Sequence, residues 1–95
     1  MSADITVLRN DERQRFEATV DGELAGYSEY TRGEGRIEFT HTEVDDAFEG
    51  QGVGSTLVSE ALDQVRAEGL DVIATCEFVA SYIERHQEYA DLLAS

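Results

Sequence analysis

The sequence predicts an α+β chain: an antiparallel β-meander that ends in one β-α-β unit followed by a C-terminal helix. Three observations lead there. Apolar and polar residues alternate through the first half, turn-forming residues separate those runs, and beyond residue 52 the apolar spacing lengthens to that of a helix buried on one side.

The elements follow in order. Ile5 and Val7 alternate with polar neighbours, as do Phe16, Ala18 and Val20, so both runs read as half-buried strands. Asp21-Gly22 is a hairpin signal, because a tight two-residue turn needs positive φ and these residues tolerate it. Leu24 to Thr31 returns as a third strand. Gly33 and Gly35 bracket a second turn, and Arg36 to Val44 is a fourth strand, with Ile37, Phe39, His41 and Glu43 expected on one face and Glu38 on the other. Val53, Leu57, Val58, Ala61, Leu62 and Val65 then mark a helix, which Gly69 stops. Leu70 to Thr75 suits a short buried parallel strand. Phe78, Val79, Tyr82, Ile83 and His86 mark a second amphipathic helix, and Tyr89, Leu92 and Leu93 continue as a terminal turn or helix.

Ninety-five residues, 41% hydrophobic and without proline, read as one globular domain over 1–95. No stretch approaches the ~18 apolar residues of a membrane span, and the N-terminal residues lack the pattern of a signal peptide, so no membrane partner is expected. A lone cysteine makes a reducing, cytoplasmic setting the default. Two histidines and one cysteine, widely spaced, give no metal signature. Twenty-one acidic residues face seven basic ones, all arginine, for a net charge of −14. Such self-repulsion is relieved where the Debye length falls to about 3 Å, near 1 M salt, which points to a halophilic source. Nucleic acid is excluded as a partner, since no basic patch exists to displace counterions.

The segment that carries function is Gly50-Gln51-Gly52-Val53-Gly54-Ser55, a glycine-rich turn between the fourth strand and the helix. A turn that runs into a helix N-terminus aims unpaired N–H groups at one point, and the helix dipole adds partial positive charge there. Glycines let a bulky phosphate approach the backbone. Two other phosphate loops fail: no lysine exists for a P-loop, and no third glycine falls where a dinucleotide fingerprint needs it.

The turn resembles the acetyl-CoA loop of the GNAT acyltransferase superfamily, Gln/Arg-x-x-Gly-x-Gly/Ala, which here reads Glu49-Gly50-Gln51-Gly52-Val53-Gly54. Glu49 departs from the glutamine or arginine of that pattern, which leaves the backbone amides to hold the phosphates. His41 to Val44, Phe48 to Ser55, Cys76 to Ile83 and Arg85 to Tyr89 together resemble the small GNAT-like subfamily sometimes called the YjdJ type, with departures at Glu77 and Gln87. The resemblance implies a truncated GNAT fold that binds acetyl-CoA through Gly50, Gln51, Gly52, Val53, Gly54 and Ser55. It places the pantetheine beside the backbone of Val44, where two parallel strands splay. It also implies that the strand and two helices supplying much of the acceptor pocket in full GNAT domains are missing.

Three side chains are candidates for catalysis. Cys76, at the start of the second helix, suits a thiolate, and the resemblance places it near the acetyl end as a transient acyl acceptor; the alternative is a small buried hydrophobe. His41 could take a proton from an amine or from Cys76, or be a structural strand histidine. Tyr82 resembles the tyrosine that protonates leaving CoA in GNAT enzymes, though the spacing is one residue off and helix packing is the rival role. Arg85 could meet an outer phosphate or simply balance Glu84 and Glu88. The expected function is acetyl transfer to an amine acceptor, plausibly cationic, by a monomer or weak homodimer. The alternatives are a non-catalytic acetyl-CoA-binding module and an interaction domain.

Overall fold

The structure is a computed structural model that describes residues 4–93. Strands β1 (Ile5–Asn10), β2 (Arg15–Val20), β3 (Glu23–Gly33) and β4 (Arg36–Val44) form an antiparallel meander. Helix α1 (Val53–Ala67) leads to strand β5 (Asp71–Ala74), which pairs with β4 in parallel and completes a sheet in the order β1-β2-β3-β4-β5. Helix α2 (Glu77–Arg85) and a 3₁₀ segment (Gln87–Leu92) follow. The predicted fold class stands, and the fourth strand has the predicted bounds.

The turns obey the local chemistry. Asp21 and Gly22 both take positive φ, 51° and 82°, as the two central residues of a twist-matched hairpin require. One face of the sheet buries Val7, Phe16, Ala18, Val20, Ile37, Phe39 and Val72 in a single core with Leu57, Leu62 and Val65 of α1 and Val79 and Ile83 of α2. The other face carries Leu8, Glu17, Tyr27, Glu29 and Glu38 and stays partly or fully exposed.

One expectation fails within β4. Tyr30 pairs with Phe39 but Glu29 pairs with His41, so Thr40 is an extra residue in the ladder. Such a bulge shifts the alternation by one. Ile37 and Phe39 therefore point into the core, while His41 and Glu43 are exposed and Thr42 turns inward to Ser28, its pairing partner. Strict alternation had put His41 and Glu43 with Ile37 and Phe39.

The helices are tied at their far ends. Arg66 of α1 forms a bidentate pair with Asp91 (2.8 and 3.0 Å) and donates to the Glu88 carbonyl. The Tyr89 hydroxyl donates to Asp63. Arg9 of β1 reaches across to Glu68 just beyond α1, and Tyr30 donates to Asp11 beside it. No helix among the described residues is long and apolar enough to cross a membrane.

Candidate functional site

The parallel pair is short. Its register runs from Arg36 with Asp71 to Phe39 with Ala74, and the last tie is the Cys76 amide donating to the Phe39 carbonyl at 2.9 Å. Beyond Phe39 the chain bulges at Thr40, and from there to Val44 the β5-side edge of β4 has no strand partner among the described residues. A bulge bends its strand, so the two chains part at the carboxyl ends of their strands. The N-termini of both α1 and α2 open at this same end, where open α/β arrangements receive ligands.

The glycine turn lies at the start of α1. Asp45 accepts from the Ala47 amide and caps a short 3₁₀ turn over Asp46–Phe48. Glu49 donates to Asp46, and the next amide with a partner is Thr56, which donates to the Gly52 carbonyl at 3.0 Å. Between them the amides of Gly50, Gln51, Gly52, Val53, Gly54 and Ser55 have no hydrogen-bond partner among the described residues. Gly50 and Gly52 sit at φ 80° and 77°, while Gln51 and Val53 do not have positive φ. Alternation of left-handed with ordinary residues curls successive N–H groups toward one side and makes an anion-binding concavity. No acidic residue occupies the first turn of α1, so the helix dipole is not cancelled there. No arginine or lysine lies between Arg36 and Arg66, so the turn itself carries no cationic side chain.

Gly54 serves a different purpose. It is helical and buried, and a Cβ on it would run into the ring of Phe78 from α2. Glycine here lets the two helix N-termini approach.

Val44, at the end of the free edge, is half-buried and pairs on its other side with Gly26. Gly26 escaped the sequence reading. A Cβ there would stand 2.8 Å from the Glu43 carbonyl oxygen, so only glycine lets β3 approach β4 at this point. A shallow cavity of about 360 Å³ opens beside it, lined by Tyr27, Glu43, Val44, Asp45 and Asp46 among others.

The three catalytic candidates are not brought together. Cys76 is the N-cap of α2 and nearly buried; its thiol donates to the Thr42 hydroxyl at 3.4 Å, which is in turn 2.8 Å from the hydroxyl of the fully buried Ser28. His41 lies on the opposite sheet face, 3.7 Å from Glu43 and near the Tyr27 ring. Tyr27 donates to Glu43 at 2.8 Å, and that carboxylate pushes its phenol above the usual range. Tyr82 is buried, its ring stacked on His86 at 4.1 Å and tilted against Tyr89. Arg85 is exposed and turned back on its own helix, toward the Ser81 carbonyl. Among the described residues no group of three or more His, Cys, Asp or Glu is placed to hold a metal ion.

Known proteins resemble this chain in sequence and in fold. Residues 15–92 match the family model described as GCN5-related N-acetyl-transferase. Protein NATD1 of Xenopus tropicalis is 31% identical over 88 residues, covering 90% of this chain and 80% of the relative. Protein NATD1 of Mus musculus is 31% identical over 85 residues, covering 86% and 76%. The NMR solution structure of a GCN5-like protein from Staphylococcus aureus superposes with a TM-score of 0.72 at 24% identity, over 95% of this chain and 88% of that one.

Proposed function

Because the chain belongs to the GCN5-related N-acetyltransferase family, we propose that it binds acetyl-CoA in the opening between β4 and β5 and transfers the acetyl group to an amine. The diphosphate is held by the amides of Gly50 to Ser55, and the pantetheine amides pair with the free backbone edge of β4 near Val44. The acetyl end then lies toward Cys76. The observation that carries this reading is the run of unpartnered amides at the N-terminus of α1, beside a strand edge left open by the bulge. The first amides of a helix have no intrahelical acceptor, and a diphosphate has the shape and charge to satisfy several at once.

Transfer through Cys76 balances in two steps. The thiolate attacks the acetyl carbonyl, its proton having left to solvent, and the CoA thiolate departs and takes up a proton. A neutral amine then attacks acetyl-Cys76, loses a proton, and restores the thiol. Thr42 holds the sulfur in place through its hydroxyl. The acidic lining of the cavity beside Val44 suits a cationic acceptor, whose amine must be deprotonated before attack.

One observation favours the non-catalytic alternative, an acetyl-CoA-binding module. His41 faces away from Thr42 and Cys76, and Tyr82 is packed against His86, so neither of these candidates adjoins the thiol. Intact mass after incubation with acetyl-CoA separates the two readings. A gain of one acetyl group, absent in Cys76→Ala and discharged by added polyamine, is the transferase result. Saturable CoA binding without acetylation or turnover on any amine is the module result.

A further inference from the structure

Phe78 is out of place for a packing residue. It is the second residue of α2, 38% exposed, yet its ring is pressed against Gly54 in the first turn of α1. Cys76 lies two residues before it, anchored to the point where β4 and β5 part. The ring, carried on the helix whose N-cap is Cys76, therefore meets the first turn of α1 with its tip, and part of its surface is open to water. An aromatic ring left in water forgoes the burial that normally stabilises it.

We propose that Phe78 is a ligand-contacting residue, forming the apolar wall along which the pantetheine arm runs from the turn toward Cys76. The inference rests on the acetyl-CoA reading above. It adds a side chain to the stretch between the turn and Cys76, and it gives the third glycine a purpose: Gly54 seats the ring, whereas Gly50 and Gly52 shape the anion cradle. The pantetheine arm is mostly methylene and methyl groups between two amides, and an aromatic wall shields such an arm while strand backbone takes its amides.

The test compares two probes, CoA, which has the arm, and ADP, which has the diphosphate without it. Phe78→Ala weakens CoA on the order of tenfold, the scale of one aromatic contact, and weakens ADP by no more than about twofold, because the variant keeps every backbone amide of the turn. Gly54→Ala, which displaces the ring, also weakens CoA. In the wild type, the ring resonances of Phe78 move further on adding CoA than on adding ADP, a readout independent of whether any variant folds. Equal loss of both ligands in Phe78→Ala, or unchanged CoA affinity with unmoved ring resonances, overturns the assignment while the binding site stands. Failure of the wild type to bind CoA at all overturns the acetyl-CoA reading itself, and the assignment with it.

Discussion

At the scale of single residues, the glycines divide by physical cause, and only some of those causes are written in local sequence. Gly50 and Gly52 announce themselves by alternation within a turn, and each takes the positive φ that this spacing implies. Gly26 carries no such mark. Its φ is ordinary, and what demands glycine is the Glu43 carbonyl of a neighbouring strand. That contact exists only once β3 and β4 are in register, so a one-dimensional reading cannot see it. Gly26→Ala must push the two strands apart or strain them, at a cost of about 1–3 kcal/mol. Urea unfolding should show that loss, with a matching loss of CoA affinity because Val44 moves; unchanged stability would mean the strands part freely. His41 is the opposite case. It was legible as a strand residue, but the bulge at Thr40 reverses its face, and nothing about Thr40 marks it as an extra residue.

Taken as elements, the strands and helices were legible because each follows a single period, and their ends were not wherever tertiary contacts set them. β3 runs to Gly33 because it pairs with Arg36 around the turn, and β5 is trimmed to Asp71–Ala74 because β4 bulges away after Phe39. Side chains of α1 tie down the C-terminal segment. Arg66 keeps the Asp91 carboxyl below its ordinary range through the bidentate pair. Burial, with the donation to Asp63, keeps the Tyr89 phenol above its ordinary range despite the opposing Ser59 contact. The signs differ. A depressed carboxyl contributes above its unfolded pKa of 3.8 and loses that contribution as pH falls through the lower folded value. A raised phenol contributes below 10.0 and loses that contribution as pH rises through the higher folded value. The clamp is therefore intact between about pH 4 and pH 10. Amide protection over Gln87–Leu92 should be flat across that window and fall on both sides. Arg66→Ala should remove the acid-side fall by lowering protection throughout, and protection that varies steadily between pH 5 and 9 would contradict this.

For the molecule as a whole, charge and fold pull in opposite directions. The Cα radius of gyration is 12.6 Å, close to the roughly 12.4 Å expected for this length, so the net charge of −14 is carried on a compact fold. The charge class was plain from composition alone. Its consequence for the site was not, because binding an anion inside a negative field depends on where amides point, and that is a property of the folded turn. Long-range repulsion between the protein and CoA is screened beyond about 10 Å at 0.1 M salt and much more closely at 1 M, whereas the amide contacts are short. Affinity for CoA should thus rise with added salt, opposite to a site built on arginine or lysine.

The most direct measurement follows backbone amide resonances during a CoA titration at 0.1 and 1 M KCl. The amides of Gly50 to Ser55 should show the largest saturable shifts, with tighter binding at the higher salt. Saturation that leaves those six amides unmoved while others respond would contradict the account.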